Sequence, residues 1–509
     1  MRFLLLCILL GFTLARVASA APEPATAATT ERAAIITSAD DPLTLEAAIA
    51  SALANNFTIA ATRFDPQIAR ARQVSAAGAF DPVLSANLTR SDTRLEPFNP
   101  LSGLHAPLYV EKSDALSVSL GGKLPFGLQY ALVGQTENYR DTDSDSLLQD
   151  KYSSFAGIRL TQPLLRGFGF GANLAGVRLA RAQRNISRAV YQQAVTDTIT
   201  RTIAAYNNLY YAQQAYENAV RSRQLADNLL AENRRRVEVG SISPADVTIA
   251  AARVARIESG VIQSEQGLRE ARNYLLTLIS VAKPAAAEQP LFIAPPAVLA
   301  APTLDRAADL DRAYQRRPDY RQALENIRRA QADLADSRSA ALPQVDLVGS
   351  YGYSGSGRTF DEAYRHARQK DTPAWSAGAV VNLPLPLREG RGRVRASKLT
   401  LAQARTELAR LEQQIAVEVA NAASQIDATA RRVESARRAR QLADQSLVAE
   451  QKRLQVGQSD TFTVLQFQEL LSAAEQGEYR AIADYNIALA DYDRAIGETL
   501  GRHAVTLEE

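Results

Sequence analysis

Two hydrophobic periods divide the chain. In some stretches apolar and polar residues alternate one for one. Leu84, Ala86 and Leu88 interleave with Ser85, Asn87 and Thr89; Leu116, Val118 and Leu120 with Ser117 and Ser119; Ala156, Ile158 and Leu160 with Gly157, Arg159 and Thr161. Further on, Val345, Leu347, Tyr351 and Tyr353 share one parity, as do Trp375, Ala377, Ala379, Val381 and Leu383. That spacing predicts strands with one apolar face, separated by polar loops at Ser91–Ser113, Asp141–Lys151 and Gly355–Thr372. Elsewhere the period is helical: Ile199, Ile203, Tyr206 and Tyr210 fall on one face, as do Ile415, Val419, Ala422, Ile426 and Val433. No proline interrupts the chain from Gly171 to Gly240 or from Gly392 to Gly457. The pattern predicts helices over 173–239 and 391–456, each ~100 Å long at 1.5 Å per residue. A helix of that length packs along others as a coiled coil or a tube wall. Shorter returning helices follow at 244–280 and 463–496.

The elements come twice. Arg223-Gln224-Leu225-Ala226-Asp227 recurs as Arg440-Gln441-Leu442-Ala443-Asp444, and Arg236, Val239, Gly240 and Val247 recur as Arg453, Val456, Gly457 and Val464, always 217 apart. Upstream an offset of 261 pairs Leu43 with Leu304 and Pro82 with Pro343. The first copy therefore holds 44 extra residues before Arg221. Leu128–Tyr139 reads as an added strand after Pro125-Phe126-Gly127, pairing with Leu116–Lys123. That gives four strands in the first copy and two in the second; a two-plus-two scheme with a longer loop stays open. The organisation is thus a first repeat over 43–280 (a helical stretch, strands within 83–162, the long helix, the return helix), an Ala/Pro linker over 281–302, a second repeat over 303–500 with strands within 345–383, and a tail over 501–509. The helical stretches opening the repeats are Leu43–Ala79 and Leu304–Ala341.

Residues 1–20 read as a secretory signal peptide: Arg2, an apolar run from Phe3 to Leu14, and Ala18-Ser19-Ala20. A segment over 21–42 precedes the first repeat. The single cysteine, Cys7, lies inside that leader, mid-core rather than at its end, so no lipid attachment is expected and the exported chain holds no thiol. Disulfide frameworks and thiol chemistry are excluded. The three histidines, His105, His366 and His503, are far apart, so no metal site is expected. A net charge of +3 gives no reason to expect nucleic acid. No later stretch has the ~18 uninterrupted apolar residues of a membrane helix. Any crossing must be made by strands, and four to six strands per chain cannot seal themselves: an open sheet edge in lipid has no hydrogen-bond partners. Copies of a spanning sheet must share a barrel, twelve to eighteen strands in three chains, and the long helices would continue it; a soluble sandwich is the other reading of the alternation. Pro163 and Pro384/Pro386 sit at the strand-to-helix junctions, where a fixed φ and a missing donor allow a change of direction.

This exported two-repeat plan resembles the TolC family of outer-membrane efflux proteins. The motif Thr161-Gln162-Pro163-Leu164-Leu165-Arg166-Gly167 is similar to the family's strand-to-helix junction, and Arg236-Val237-Glu238-Val239-Gly240-Ser241-Ile242-Ser243-Pro244-Ala245-Asp246-Val247 to its helix-hairpin tip; Arg453-Leu454-Gln455-Val456-Gly457 through Val464-Leu465 is the second tip. The resemblance spans Leu43–Leu500. It implies an α+β membrane protein: a homotrimeric transmembrane β-barrel in the outer-membrane lipid of a Gram-negative-type bacterium, continued through the periplasm by a coiled-coil α-barrel. The implied function is the passive outer-membrane channel subunit of a tripartite efflux or type I secretion system, without catalysis or cofactor, whose partners are a periplasmic membrane-fusion adaptor and an inner-membrane transporter. By that analogy Val239, Gly240, Ser243, Pro244, Val456, Gly457 and Asp460 contact the adaptor. Members often carry an acidic constriction after the second tip. Here those positions are Thr463 and Gln466, a departure that leaves Asp246 as the tip acid and makes these three the candidate gate residues. The rival reading is a periplasmic coiled-coil adaptor or scaffold that inserts no strands.

Other motifs carry less. Gly167-Phe168-Gly169-Phe170-Gly171-Ala172 fits a dinucleotide-binding spacing. The long helix that follows is wrong for that fold, so the glycines read as a tight turn. The clusters Arg234-Arg235-Arg236 and Arg391/Arg393/Arg395 read as solvated helix faces.

Overall fold

The computed structural model describes residues 42–95, 98–99, 104–105, 109–141, 151–240, 243–279, 291–297, 302–456 and 458–507. The signal-peptide segment, most of the linker and Gly457 lie outside them. Contacts divide the chain into two units. Of the described residues, one takes those up to Phe57 with those of Arg201–Leu299 and Arg432–Ile487; the other takes those of Thr58–Thr200, of Ala300–Arg431 and from Ala488 on.

Each repeat begins with helices broken where capping demands it. The first repeat opens with α1 (Leu45–Asn55), α2 (Phe57–Thr62) and α3 (Phe64–Ala77), not one continuous stretch. Thr44 caps α1 by accepting from the Ala47 amide, and Asn56 leaves the helix in extended backbone. The stretch that opens the second repeat is likewise two helices, named below after the strands that precede them in the chain.

Strands β1 (Val83–Leu95), β4 (Tyr109–Lys123), β5 (Gln129–Asp141) and β6 (Lys151–Pro163) follow α3, with a two-residue hairpin of β2 (Phe98–Asn99) and β3 (Leu104–His105) between β1 and β4. The expected Ser91–Ser113 loop is thus shorter than the polarity suggested: β1 and β4 run on through Ser91↔Ser113, Arg94↔Val110 and Leu95↔Tyr109. After β6 come α4 (Gly169–Asn173), the 64-residue α5 (Ala175–Glu238) and α6 (Pro244–Ile279). The second repeat holds α7 (Arg306–Arg316), α8 (Pro318–Ala340), β7 (Gln344–Gly357), α9 (Phe360–Gln369), β8 (Pro373–Asn382), the 68-residue α10 (Arg388–Gln455), α11 (Thr461–Ala495) and α12 (Thr499–Arg502). Pro318 separates α7 from α8 because it pushes Arg317 into extended backbone. Helix α9 corrects the expectation of a loop over Gly355–Thr372. Its start has a side-chain cap: Thr359 accepts from the Glu362 amide while the Glu362 carboxylate accepts from the Arg358 amide.

The strands form one antiparallel sheet in the order β1-β4-β5-β6-β7-β8, six strands in four-plus-two arrangement. Helix α9 packs on this sheet. A Cβ built on Gly355 would fall 2.0 Å from the Ala363 carbonyl oxygen, so only glycine lets the helix lie that close.

In the first unit Tyr206, Leu209, Leu275, Ile279 and Ile293 join Leu43, Ala48 and Ala52 in one apolar cluster. The Tyr206 hydroxyl, 2.7 Å from the Ala294 carbonyl oxygen and 2.9 Å from that of Leu43, ties α5 to the chain beside the cluster. Burial pushes its pKa up to about 12. In the second unit buried Arg317 donates to Asp319 (2.8 Å), Glu418 (2.9 Å) and the Ala495 carbonyl (3.0 Å), joining α8, α10 and α11. Tyr492 donates to the fully buried Asp309 at 2.6 Å.

Candidate functional site

Two places carry the functional expectations: the sheet and the hairpin tips. In an antiparallel ladder, residues directly opposite point to the same face. The observed register therefore settles which faces align. Leu84 lies opposite Leu120, Leu120 opposite Leu132, Leu132 opposite Ile158, Ile158 opposite Tyr351 and Tyr351 opposite Trp375. One row crosses the whole sheet with an apolar side chain in every strand. Two residues along, Ala86, Val118, Gly134, Ala156, Tyr353 and Pro373 make a second row. The opposite face carries Ser85, Ser119, Val133, Gly157, Gly352 and Ala374, then Asn87, Ser117, Gln135, Phe155 and Ser354. Nearly all the apolar rows are uncovered: Leu132 is 53% exposed, Leu84 59% and Trp375 75%. Towards the loops the same face turns polar, with Arg90, Asp92, Lys112 and Asp114 forming exposed ion pairs. Exposed leucines in register on one face and hydroxyls and small residues on the other are the arrangement of a strand layer between lipid and a wet lumen. Among the described residues both outer strands, β1 and β8, have a partner on one side only.

Pro163 ends β6 opposite Asp346, and the chain then turns into α4 through glycines. Gly127 (φ +107°) and Gly167 (φ +81°) meet so closely that a Cβ on Gly127 would sit 2.5 Å from the Gly167 carbonyl oxygen. Asn173 Nδ2 donates to the carbonyls of Gly167 and Gly169, both at 2.8 Å. The glycines of the 167–171 motif thus make a backbone turn stitched by Asn173. Pro384 and Pro386 lie between β8 and α10, where the Pro384 carbonyl accepts from the Leu387 amide at 3.0 Å.

Both tips belong to the first unit. At the first, Val239 is 75% exposed and Gly240 adopts φ +75°, with no atom among the described residues within 4 Å of the place a Cβ would take. Ser243 caps α6 by accepting from the Ala245 amide at 3.2 Å, Pro244 takes the first helical position, and Asp246 Oδ2 accepts from the Ser243 amide at 3.1 Å. At the second, Val456 is 69% exposed, and Asp460 caps α11, accepting from the Thr463 amide at 2.7 Å and the Thr463 hydroxyl at 3.2 Å. Ser243 and Asp460 are repeat equivalents, and so are Asp246 and Thr463. The two tips carry hydroxyl and carboxylate in exchanged order: at the first the Asp246 carboxylate accepts from the amide of the capping Ser243, and at the second the capping Asp460 carboxylate accepts from Thr463. Gln466 is exposed on α11. The candidate gate positions are thus two capping residues and one solvated amide.

Sequence reasoning did not find the clamp behind the tips. Arg253 on α6 pairs with Glu469 on α11 at 2.7 Å, and Arg256 reaches the same carboxylate at 3.2 Å. Nearby, Ser472 donates to Asn218 at 2.7 Å and the Asn218 amide donates back to the Ser472 carbonyl at 2.9 Å. No local pattern announces pairs more than 200 residues apart in sequence. Among the described residues no group of three or more His, Cys, Asp or Glu could hold a metal, and no helix is long and apolar enough to cross a membrane.

The family profile described as "Outer membrane efflux protein" matches residues 48–280 and 310–498, most of the chain. The chain belongs to the outer membrane efflux protein family. Its place is therefore the outer membrane, the family's work is efflux, and the family's proteins are channels. Protein CyaE of Bordetella pertussis is 27% identical over 234 residues; the match spans 45% of this chain and 46% of CyaE, about half the length of that relative. Among solved structures, the Campylobacter jejuni CmeC outer membrane channel superposes with a TM-score of 0.67 at 15% identity, covering 89% of this chain and 86% of that one. The open state of the Neisseria gonorrhoeae MtrE outer membrane channel gives 0.62 at 20% identity, covering 90% and 89%. Such low identities speak for the fold: strands continued by long helices. Family membership sets aside the rival reading as a periplasmic scaffold without inserted strands.

Proposed function

We propose that the chain is one protomer of a homotrimeric export duct of a tripartite efflux or type I secretion system. Three sheets close a barrel in the outer membrane, and the long helices continue it as a cylinder through the periplasm. The protein catalyses nothing; an inner-membrane transporter, joined through a periplasmic adaptor, supplies the energy. The observation that carries this reading is a sheet with an uncovered apolar face, a polar face and two open edges, which lipid tolerates only if other copies complete it.

The adaptor meets the tips at Val239, Gly240, Ser243, Pro244, Val456, Gly457 and Asp460. Because Asp246 and Thr463 are occupied in helix caps, closure depends on contacts between the returning helices, with Arg253–Glu469 holding α6 against α11. Purified protein in a planar bilayer tests this: a stepwise conductance from a particle of three chains is the expected result. Replacing Gly240 or Gly457 with valine should impair export while membrane insertion stays intact. A monomer without conductance, or normal export by both variants, would count against the reading.

A further inference from the structure

The open edges of the sheet define their own partner. A perpendicular row starting at Val83, the first residue of β1, passes through Gly121, Ala131, Arg159 and Ser350 and reaches Ser376. Ser376 stands six residues before the end of β8 at Asn382. The row has climbed six residues along the strands in crossing six strands. A closed barrel needs such a stagger, and it must return the row to the start of the next β1.

We propose that β8 of one copy pairs with β1 of the next in the antiparallel register that sets Leu84 opposite Val381, closing an eighteen-stranded barrel from three copies. This rests on the trimeric duct proposed above and goes beyond it by fixing strand number and seam. With six residues of stagger per copy, the strand tilt is about 35°, from ~3.3 Å per residue and ~4.8 Å between strands, at the lower end of the range for membrane barrels. The register uses all ten residues of β8, with Val83 opposite Asn382 and Asp92 opposite Pro373.

An even stagger keeps each face continuous; an odd one would turn every side chain of the neighbour to the wrong side. On the apolar face the seam pairs Leu84 with Val381, Ala86 with Ala379, Leu88 with Ala377 and Arg90 with Trp375. On the polar face it pairs Ser85 with Val380, Asn87 with Gly378 and Thr89 with Ser376. Trp375, 75% exposed in the single chain, would receive the Arg90 guanidinium beside its ring. The inserted hairpin of β4 and β5 widens the outlet. Eighteen strands give a backbone radius of about 17 Å, against about 11 Å for four strands per copy at the same tilt. Barrels of sixteen to eighteen strands leave an aqueous channel, so this outlet suits bulky hydrophilic cargo.

The sequence suits a cross-linking test, because Cys7 is its only cysteine. In a Cys7→Ser background, Leu84→Cys with Val381→Cys is oxidised in outer-membrane vesicles, beside the offset control Leu84→Cys with Ala377→Cys. The expected result is a covalent ladder ending at three chains from the first pair and monomer from the control. A trimer in which the control links instead, or in which neither pair links, overturns the seam and leaves the duct standing. A ladder ending at another number overturns the trimer itself. A second arm tests the hairpin with single cysteines. At Gln135 a membrane-impermeant maleimide should react, and at Leu132 lipid should protect the thiol. Equal labelling means that β4 and β5 lie outside the barrel. The unsubstituted chain supplies a check free of folding artefacts: its one tryptophan, Trp375, should be quenched by brominated lipid chains and spared by iodide. The reverse pattern overturns the proposal.

Discussion

Replacing Leu132 with arginine asks whether the apolar face meets lipid. Leu132 stands in the row from Leu84 to Trp375, between Leu120 and Ile158, and is 53% exposed. If water covered that face, a half-exposed leucine could become arginine within about 0.5 kcal/mol, as at most surface positions. If lipid covers it, arginine costs up to about 2–4 kcal/mol per copy, the value reached at the bilayer midplane. That is roughly a 30- to 700-fold shift in the folding equilibrium of one chain. Gln135→Arg is the control on the same strand, where Gln135 lies opposite Ser117 and Phe155 on the polar face. It should leave stability nearly unchanged and alter only ion selectivity. Urea titration of both variants refolded into vesicles, read by heat-modifiable migration on gels, supplies the numbers. The midpoint should fall for Leu132→Arg and hold for Gln135→Arg. Equal midpoints, or a larger loss at Gln135, would refute the assignment of faces.

Four further outcomes follow from the packing. Ser243→Ala and Asp460→Ala should each cost about 1 kcal/mol at the start of their helix, seen as faster amide exchange there; exchanging Ser243→Asp with Asp246→Thr should restore the first tip, because the second already uses that order. Asp493 is buried beside Arg502, and burial, opposed by Arg502 and reinforced by Glu498, raises its pKa to about 6. The folded state thus binds this proton more tightly than the unfolded chain, so stability present below about pH 4 should fall through pH 6 by up to about 3 kcal/mol; a thermal melt that rises over that window in the wild type but not in Asp493→Asn would contradict it. Ile279→Ala, at a fully buried position, should cost about 2–5 kcal/mol by denaturant titration. Gly127→Ala, at φ +107° and 2.5 Å from a carbonyl oxygen, should sharply reduce the yield of membrane-inserted protein.

Much of this protein can be read from the order of its residues, for local reasons. Alternation marks a strand and the 3.6-residue period a helix because each depends on neighbours a few positions away. The 217-residue repeat exposed both tips, and Ser243-Pro244 and Asp460 lie where a helix start requires them. Helix α9 was legible too: Thr359 and Glu362 form a capping-box pattern, and Phe360, Ala363, Tyr364 and Ala367 keep helical spacing, but the surrounding polarity disguised it. What tertiary structure alone decided was register and partnership. Alternation gives the parity of a strand's apolar residues without saying which residue faces which across the ladder, and only pairing aligned six separate patterns into one lipid-type face. Likewise Arg317 with Glu418, Arg253 with Glu469 and Tyr492 with Asp309 unite residues from 101 to more than 200 positions apart. No local signal encodes such contacts, because their free energy arises only when distant elements have already been brought together.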